Sequence, residues 1–383
     1  MSMIDRRGDF SLPAGRVWLN ASHQGPLPDV AATAAAEMIR WKQQPHHLIT
    51  PAPFLEVPAR LRAALATVLS APESEVVLAN SASYGLHLVA NGLGLGAGDE
   101  VVVAANDFPS DILPWLRLRS DGVRVRQVHP AGPVATVDEV RSAMTSRTRV
   151  ICLTWVHSFS GQVIDLDAIG SLCREAGALF MVNGAQGVGG IPLQVHQHPI
   201  DALTGVGFKW LCGPYGTGFC WLGPRIADQV EASKFYWLSS LTADALAAPE
   251  LDLDALEPPD GARRHDVFGT ANFFNFAALA ASIGLVLDTG IEKIHAYNQG
   301  LAERLIDGID PRLYELQNRG NPQRLSSILM VRPQQADLDS VADHLAAEGV
   351  DVARRRGMLR FAPHFYNTQD DIDRAITALQ SVP

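Results

Sequence analysis

The sequence predicts an α/β fold, with a mainly parallel central sheet in a large domain and a smaller α+β domain towards the C-terminus. Two observations predict it. Short apolar runs of buried-strand type alternate with helical patterns as far as about residue 222, as in strands covered by helices on both faces. A chain of 383 residues with 47% hydrophobic content also suffices for one large core and a second, smaller one.

Taken in order, residues 76–78 form a buried strand that passes through Ala79-Asn80-Ser81-Ala82-Ser83 into a helix from about Tyr84. At such a junction free N–H groups and the helix dipole attract an anion, so Ser81, Ala82 and Ser83 are candidates for holding a phosphate. A plain helix N-cap has the same sequence. Residues 101–103 and 150–153 are further buried strands, 166–176 is helical, and 179–182 is a strand ending in Asn183-Gly184-Ala185-Gln186. Residues 200–204 then lead into Gly205-Val206-Gly207-Phe208-Lys209-Trp210-Leu211-Cys212-Gly213-Pro214. Lys209 has almost no charged neighbours there. Poor solvation of its ammonium lowers the pKa and frees the amine for Schiff-base chemistry, although a snorkelling surface lysine fits this segment alone equally well. A charged, proline-bearing stretch over 252–266 separates this part from an alanine-rich helix near 274–287, which joins the domains. From Leu325 to the end the pattern is strand, helix, short strands and helix. This places the large domain at 16–265 and the small one at 1–15 with 266–383.

A net charge of −10 and a pI near 5.6, with no basic stripe, argue against nucleic acid as a partner. No run approaches the roughly 18 apolar residues of a membrane span, and the N-terminus lacks a signal-peptide pattern. A cytoplasmic protein without membrane attachment is expected. Cys152, Cys173, Cys212 and Cys220 have no metal-ligand spacing and are expected to be reduced core thiols, with no metal site.

Asn183, Gln186 and Lys209 together resemble the class V aminotransferase group of pyridoxal phosphate (PLP) enzymes of fold type I, which includes cysteine desulfurases, kynureninases and isopenicillin N epimerase-like proteins. That group has a strand ending in Asp-x-x-Gln, followed later by the cofactor lysine. Further segments carry the resemblance over nearly the whole chain. Phe108-Pro109-Ser110-Asp111 is similar to the kynureninase segment, and implies that Phe108 stacks on the cofactor ring with Asp111 near it. Ser83 matches a phosphate-binding Thr; Ser158 matches a polar residue near the cofactor hydroxyl, and the resemblance offers Gln186 as a donor to the same oxygen. His157, its neighbour, reads more readily as a structural histidine. Phe268-Gly269-Thr270-Ala271-Asn272 resembles the Gly-Thr segment that reaches the phosphate from a neighbouring subunit, implying a homodimer with shared sites; a helix N-terminus capped by Thr270 is the alternative. Arg360, in Leu359-Arg360-Phe361 through Tyr366-Asn367-Thr368, resembles the Arg that forks onto the substrate carboxylate. Asn20 and His23 lie in a segment that enters the site beside the substrate, and Arg264 and His265 are weaker candidates.

Three departures stand out. Asn183 replaces the carboxylate that pairs with the protonated pyridine nitrogen, which weakens the electron sink unless Asp111 substitutes. Val206 and Phe208 stand where relatives carry Ser and His. No cysteine follows Cys220, so the desulfurase nucleophile is missing. The resemblance therefore implies a PLP enzyme acting on an amino acid or amino-acid conjugate, with Lys209 forming the internal aldimine and then serving as the Cα base. Elimination at Cβ, such as C–S cleavage of a cysteine conjugate, leads. Transamination, epimerisation and kynureninase-like hydrolysis remain alternatives, as does a non-catalytic binding protein of this fold. Aromatic residues Phe54, Phe235, Tyr236 and Trp237, on loops over 42–54 and 235–241, suggest room for an apolar or sugar-like side chain, or else core contacts.

Overall fold

The computed structural model describes residues 4, 6–231, 236–252, 254, 259–317 and 326–382; Phe235 and Leu325 lie outside them. Its centre is a seven-stranded sheet of β1 (Val76–Ala79), β2 (Glu100–Ala104), β3 (Arg124–Val128), β4 (Thr148–Thr154), β5 (Leu179–Asn183), β6 (Ala202–Val206) and β7 (Gly218–Leu222). Their order in space is β1-β7-β6-β5-β4-β2-β3. From β6 to β3 all pairings are parallel, whereas β7 runs antiparallel to both β6 and β1.

The apolar runs are continuous because both faces are buried. Val102, Ile151, Leu153, Phe180 and Val182 pack into the core on one face; Val101, Val103, Cys152 and Met181 pack on the other. With period-two alternation, neither face is free to be polar. Truncating Phe180, which is fully buried, to Ala would cost about 3–5 kcal/mol.

The alanine-rich helix spans Phe273–Thr289, slightly longer than the sequence suggests, and packs against the helices Asp29–Gln43 and Ala52–Leu69 within one continuous core. The charged stretch before it is fastened rather than loose. The Asp266 carboxylate accepts the Leu78 N–H and pairs with Arg62, and the Val267 N–H donates to the Leu78 carbonyl, which ties the chain to β1.

The C-terminal part holds an antiparallel four-stranded sheet, in the order Ala353–Arg355, Met358–Phe361, Leu329–Pro333, Tyr314–Leu316, flanked by the helices Leu338–Ala347 and Gln369–Gln380. Residues Val17–Trp18 pair in parallel with Val350–Asp351, and Asn20 bridges to Ala362. The domain boundary drawn at residue 16 thus runs through this seam, which carries the N-terminal segment across the small sheet to the ends of the central strands. Gly25 completes the approach: its N–H donates to the Phe208 carbonyl, and a Cβ there would sit 2.3 Å from the Lys209 carbonyl oxygen.

Candidate active site

The carboxyl ends of β1, β2, β4, β5 and β6 open into one cavity of about 400 Å³, the position where open α/β sheets place ligands. Each strand delivers part of the wall. After β1 come Ser81, Ala82 and Ser83; after β2, Phe108 and Ser110; after β4, Ser158 and Phe159; at β5, Asn183, Ala185 and Gln186; after β6, Val206, Phe208 and Lys209. The N-terminal segment adds Ser22 and His23, and the small sheet adds Arg355 and Arg360. Among the described residues no Asp or Glu lines it.

Lys209 is half-buried, with its surface on the cavity. Burial lowers its pKa to about 8, helped by the cationic Arg360 and opposed by Asp111. Its turn is held by a bond from the Cys212 N–H to the Lys209 carbonyl, with Cys212 at φ 51°. A non-glycine residue in this left-handed region is strained, a cost accepted where it fixes the lysine.

Asn183 ends β5 with its amide clamped at both ends. Its Nδ2 donates to Asp111 Oδ1 at 2.7 Å, and its Oδ1 accepts the Ala185 N–H at 3.0 Å. Asp111, expected near the cofactor as the acid that substitutes for the missing carboxylate, does not line the cavity and stands behind Asn183. Full burial raises its carboxyl to about 7, against the Asn183 hydrogen bond and Lys209. Asp107, which accepts the Thr154 N–H, is pushed well above the usual carboxylate range by burial and by Asp111.

Gln186 is held by three contacts. The Trp210 Nε1–H donates to its Oε1 at 3.1 Å, while its Nε2 donates to the Ser22 carbonyl at 3.0 Å and lies 3.4 Å from Ser158 Oγ. Ser81 is the N-cap of the helix Ala82–Gly92, its Oγ accepting the Tyr84 N–H. Gly218 lets that turn sit against β7, since a Cβ there would lie 2.6 Å from the Ser81 backbone. Phe108, 46% exposed, faces Phe159 nearly in parallel at 6.2 Å between centroids, and Phe208 stacks on Tyr215 at 4.5 Å. Arg360 is buried, donates to the Ser158 carbonyl at 3.0 Å, and keeps its Nε without a hydrogen-bond partner.

A family model for class V aminotransferases matches residues 33–375. The chain belongs to this family. A probable cysteine desulfurase of Methanothermobacter thermautotrophicus is 27% identical over all of this chain and 98% of its own length, and the isopenicillin N epimerase of Streptomyces clavuligerus 26% over 99% and 98%. A solved complex of the cystine C–S lyase C-DES with its product cysteine persulfide superposes with a TM-score of 0.85 at 20% identity, covering 96% of this chain and 98% of that one. The fold is thus fold type I, and membership makes this chain a PLP-dependent enzyme. The residues present fit that cofactor: a poorly solvated amine, first-turn N–H groups at Ala82 and Ser83 for a phosphate, and an amide at the end of β5.

Other family positions fall elsewhere. Asn20 is buried with its Oδ1 unpartnered, outside the cavity lining, whereas His23 lines it. His157 lies off the cavity; its Nε2 donates to the Asn106 carbonyl at 3.0 Å and its Nδ1 accepts from Ser160 at 2.8 Å, and burial lowers its pKa. It is a neutral structural histidine. The Gly269 N–H donates to the Tyr236 hydroxyl, and Thr270, with Phe54 and Leu241, lines a separate cavity of about 660 Å³. Within one chain, neither Gly269 nor Thr270 reaches Lys209. Thr270 is not the helix cap, since Asn272 precedes Phe273 and makes no side-chain cap bond. Phe54 packs edge-on against Phe273 away from the cavity, and Trp237 lies on the surface, 49% exposed. Arg264 donates to the Ala227 carbonyl and to His265, off the cavity. Missed by the sequence reading were Ser22, Ser110, Thr154, Phe159, Tyr215 and Arg355. For Arg355 the sequence shows only a run of three arginines before Gly357, and the hairpin register that turns it toward Arg360 comes from the fold.

Proposed function

We propose that this enzyme cleaves the Cβ–S bond of a cysteine conjugate by elimination. The observation that carries the reading is Lys209: an amine with its pKa lowered to about 8, facing a cavity that also presents Arg360 and, among the described residues, no acid. PLP, when bound, supplies the electron sink that acidifies the substrate Cα–H. The chain's own residues do the rest. Ala82 and Ser83 N–H groups and the Ser83 hydroxyl would hold the phosphate of PLP, and Phe108, Ser158, Gln186 and Asn183 would hold the rest of it, with Asp111 acting through Asn183 as a positioning residue. Arg360 would fork onto the α-carboxylate. Lys209 would anchor the cofactor and, as a free amine, would take the Cα proton. The C–S bond breaks with its electron pair leaving on sulfur as a thiol, and water takes the three-carbon fragment to pyruvate and ammonium.

Two features favour elimination over its alternatives. A neutral amide at Asn183 suits brief rather than sustained carbanion character. All four cysteines are buried in the core with thiols pushed up, Cys173 and Cys220 to about 12, and none lines the cavity, which disfavours a persulfide-forming nucleophile. Gly269 and Thr270 serve the site only from a second chain, so the enzyme works as a homodimer with shared sites. Its place is the cytoplasm; among the described residues no single helix is long and apolar enough to cross a membrane.

The test is incubation of PLP-loaded protein in heavy water with S-substituted cysteines and ordinary amino acids, read by mass spectrometry. Thiol with pyruvate is the expected result. Deuterium at Cα without cleavage would instead indicate transamination or epimerisation, and no exchange at all would leave a binding protein.

A further inference from the structure

Residues 353–361 form a tight hairpin, with Arg355 opposite Met358 and Ala353 opposite Arg360. Side chains of a strand alternate, so Ala353, Arg355, Met358 and Arg360 share one face, and Arg355 stands diagonal to Arg360. Diagonal Cβ atoms on such a pair lie about 7–8 Å apart. Both arginines line the Lys209 cavity.

The three consecutive arginines of this hairpin have different fates. Arg354 points outward onto Asp339 at 2.7 Å. Arg356 lies over the Phe159 ring at 3.8 Å and donates to the Asn106 carbonyl. Arg355 makes one bond, to the Arg354 carbonyl at 2.8 Å, and faces the cavity. Among the described residues neither Arg355 nor Arg360 pairs with a carboxylate. Two like charges on one wall repel, and burial with Arg355 nearby holds Arg360 down to about 10. Among the described residues no carboxylate relieves this. A single α-carboxylate on Arg360 leaves Arg355 unanswered, and the phosphate is assigned to the turn at Ala82 and Ser83.

We propose that the substrate carries two anionic groups: the α-carboxylate on Arg360, and a carboxylate or comparable anion at the far end of its side chain on Arg355. The proposal rests on the reading of the site as an amino-acid site, and it makes Arg355 the residue that sets side-chain specificity. The substrate class is a cysteine conjugate whose sulfur substituent is acidic.

The test separates binding from reaction. Calorimetry of the PLP-loaded dimer should show glutarate binding at least about tenfold more tightly than pentanoate, the gain from one added charge-assisted contact. Arg355→Gln should bring that ratio to within about twofold, and Arg355→Glu should favour 5-aminopentanoate over glutarate. The same charge preference should appear in KM for S-carboxymethylcysteine against S-ethylcysteine. Equal affinities for glutarate and pentanoate in the unaltered protein would overturn the proposal, as would a loss of PLP affinity in Arg355→Gln, which would give Arg355 to the phosphate. Cleavage without charge preference would sink this proposal and leave the lyase reading intact. Arg355-dependent diacid binding without cleavage would do the reverse.

Discussion

Two of the molecule's cavities differ in character, and the larger of the two is not the one that gathers the candidate site residues. The cavity of about 660 Å³ beside Phe54 and Thr270 contains charges that answer one another: Arg62 is paired with Asp266 and donates to the Val76 carbonyl, and Arg263 donates to the Leu238 carbonyl. The cavity of about 400 Å³ over the strand ends gathers Lys209, Arg355 and Arg360 with no acid among the described residues of its wall. Volume is a by-product of how loops pack. Unanswered buried charge is costly to fold, so it persists where a ligand completes it.

The comparison breaks most readily at Lys209. Lys209→Ala should lower the rate of Cα–H exchange by at least about a thousandfold while circular dichroism stays native, because the proton acceptor is gone. Asp266→Ala, in the larger cavity, should do the opposite: urea unfolding should show a loss of about 3–5 kcal/mol, as expected when one partner of a buried pair is removed, with turnover per folded molecule unchanged. If Asp266→Ala selectively reduced turnover, the distinction between the cavities would fail. Arg360→Lys should raise KM by about 10- to 100-fold more than it lowers kcat, since an ammonium cannot fork onto a carboxylate.

Smaller effects sharpen the picture through pH. With its pKa lowered to about 8, Lys209 is about one-quarter free amine at pH 7.5, against about a thousandth for an unshifted lysine. Cofactor attachment followed by absorbance should therefore quicken as pH rises to about 8 and then level off. Asp111 has its folded pKa raised from 3.8 to about 7, so the folded chain binds the proton more tightly than the unfolded one. Its contribution to stability is present below pH 3.8 and lost as pH rises through about 7. Asp111→Asn should flatten that slope in urea titrations between those limits.

Much of the site was legible in the order of residues. Lys209, Asn183, Gln186, Ser81–Ser83, Phe108 and Arg360 sit at strand ends or on a short strand within motifs of their own, and the apolar runs of 101–103 and 179–182 could only be strands buried on both faces. Less legible was how Asp111, expected near the cofactor, is placed behind Asn183, because which of two neighbouring polar groups meets a cavity depends on a helix packing against a strand from another part of the chain. Gly269 and Thr270 carry a motif that one chain does not bring to the cavity. The antiparallel course of β7 left no mark either, since a strand buried on both faces reads alike in both directions.

Local chemistry thus determined the strands, the poorly solvated lysine and the family, because propensity, solvation and motif spacing act over a few residues. Folding alone decided that Arg355 joins Arg360, that Asn183 is clamped by Asp111, and that Gly25 presses on the lysine turn. Asp111 with Asn183 and Gly25 with Lys209 are 72 and 184 positions apart, whereas Arg355 and Arg360 are near in sequence but share a wall only through the register of their hairpin. All three exist only once sheet register and the parallel seam of Val17–Trp18 with Val350–Asp351 have set which side chains meet.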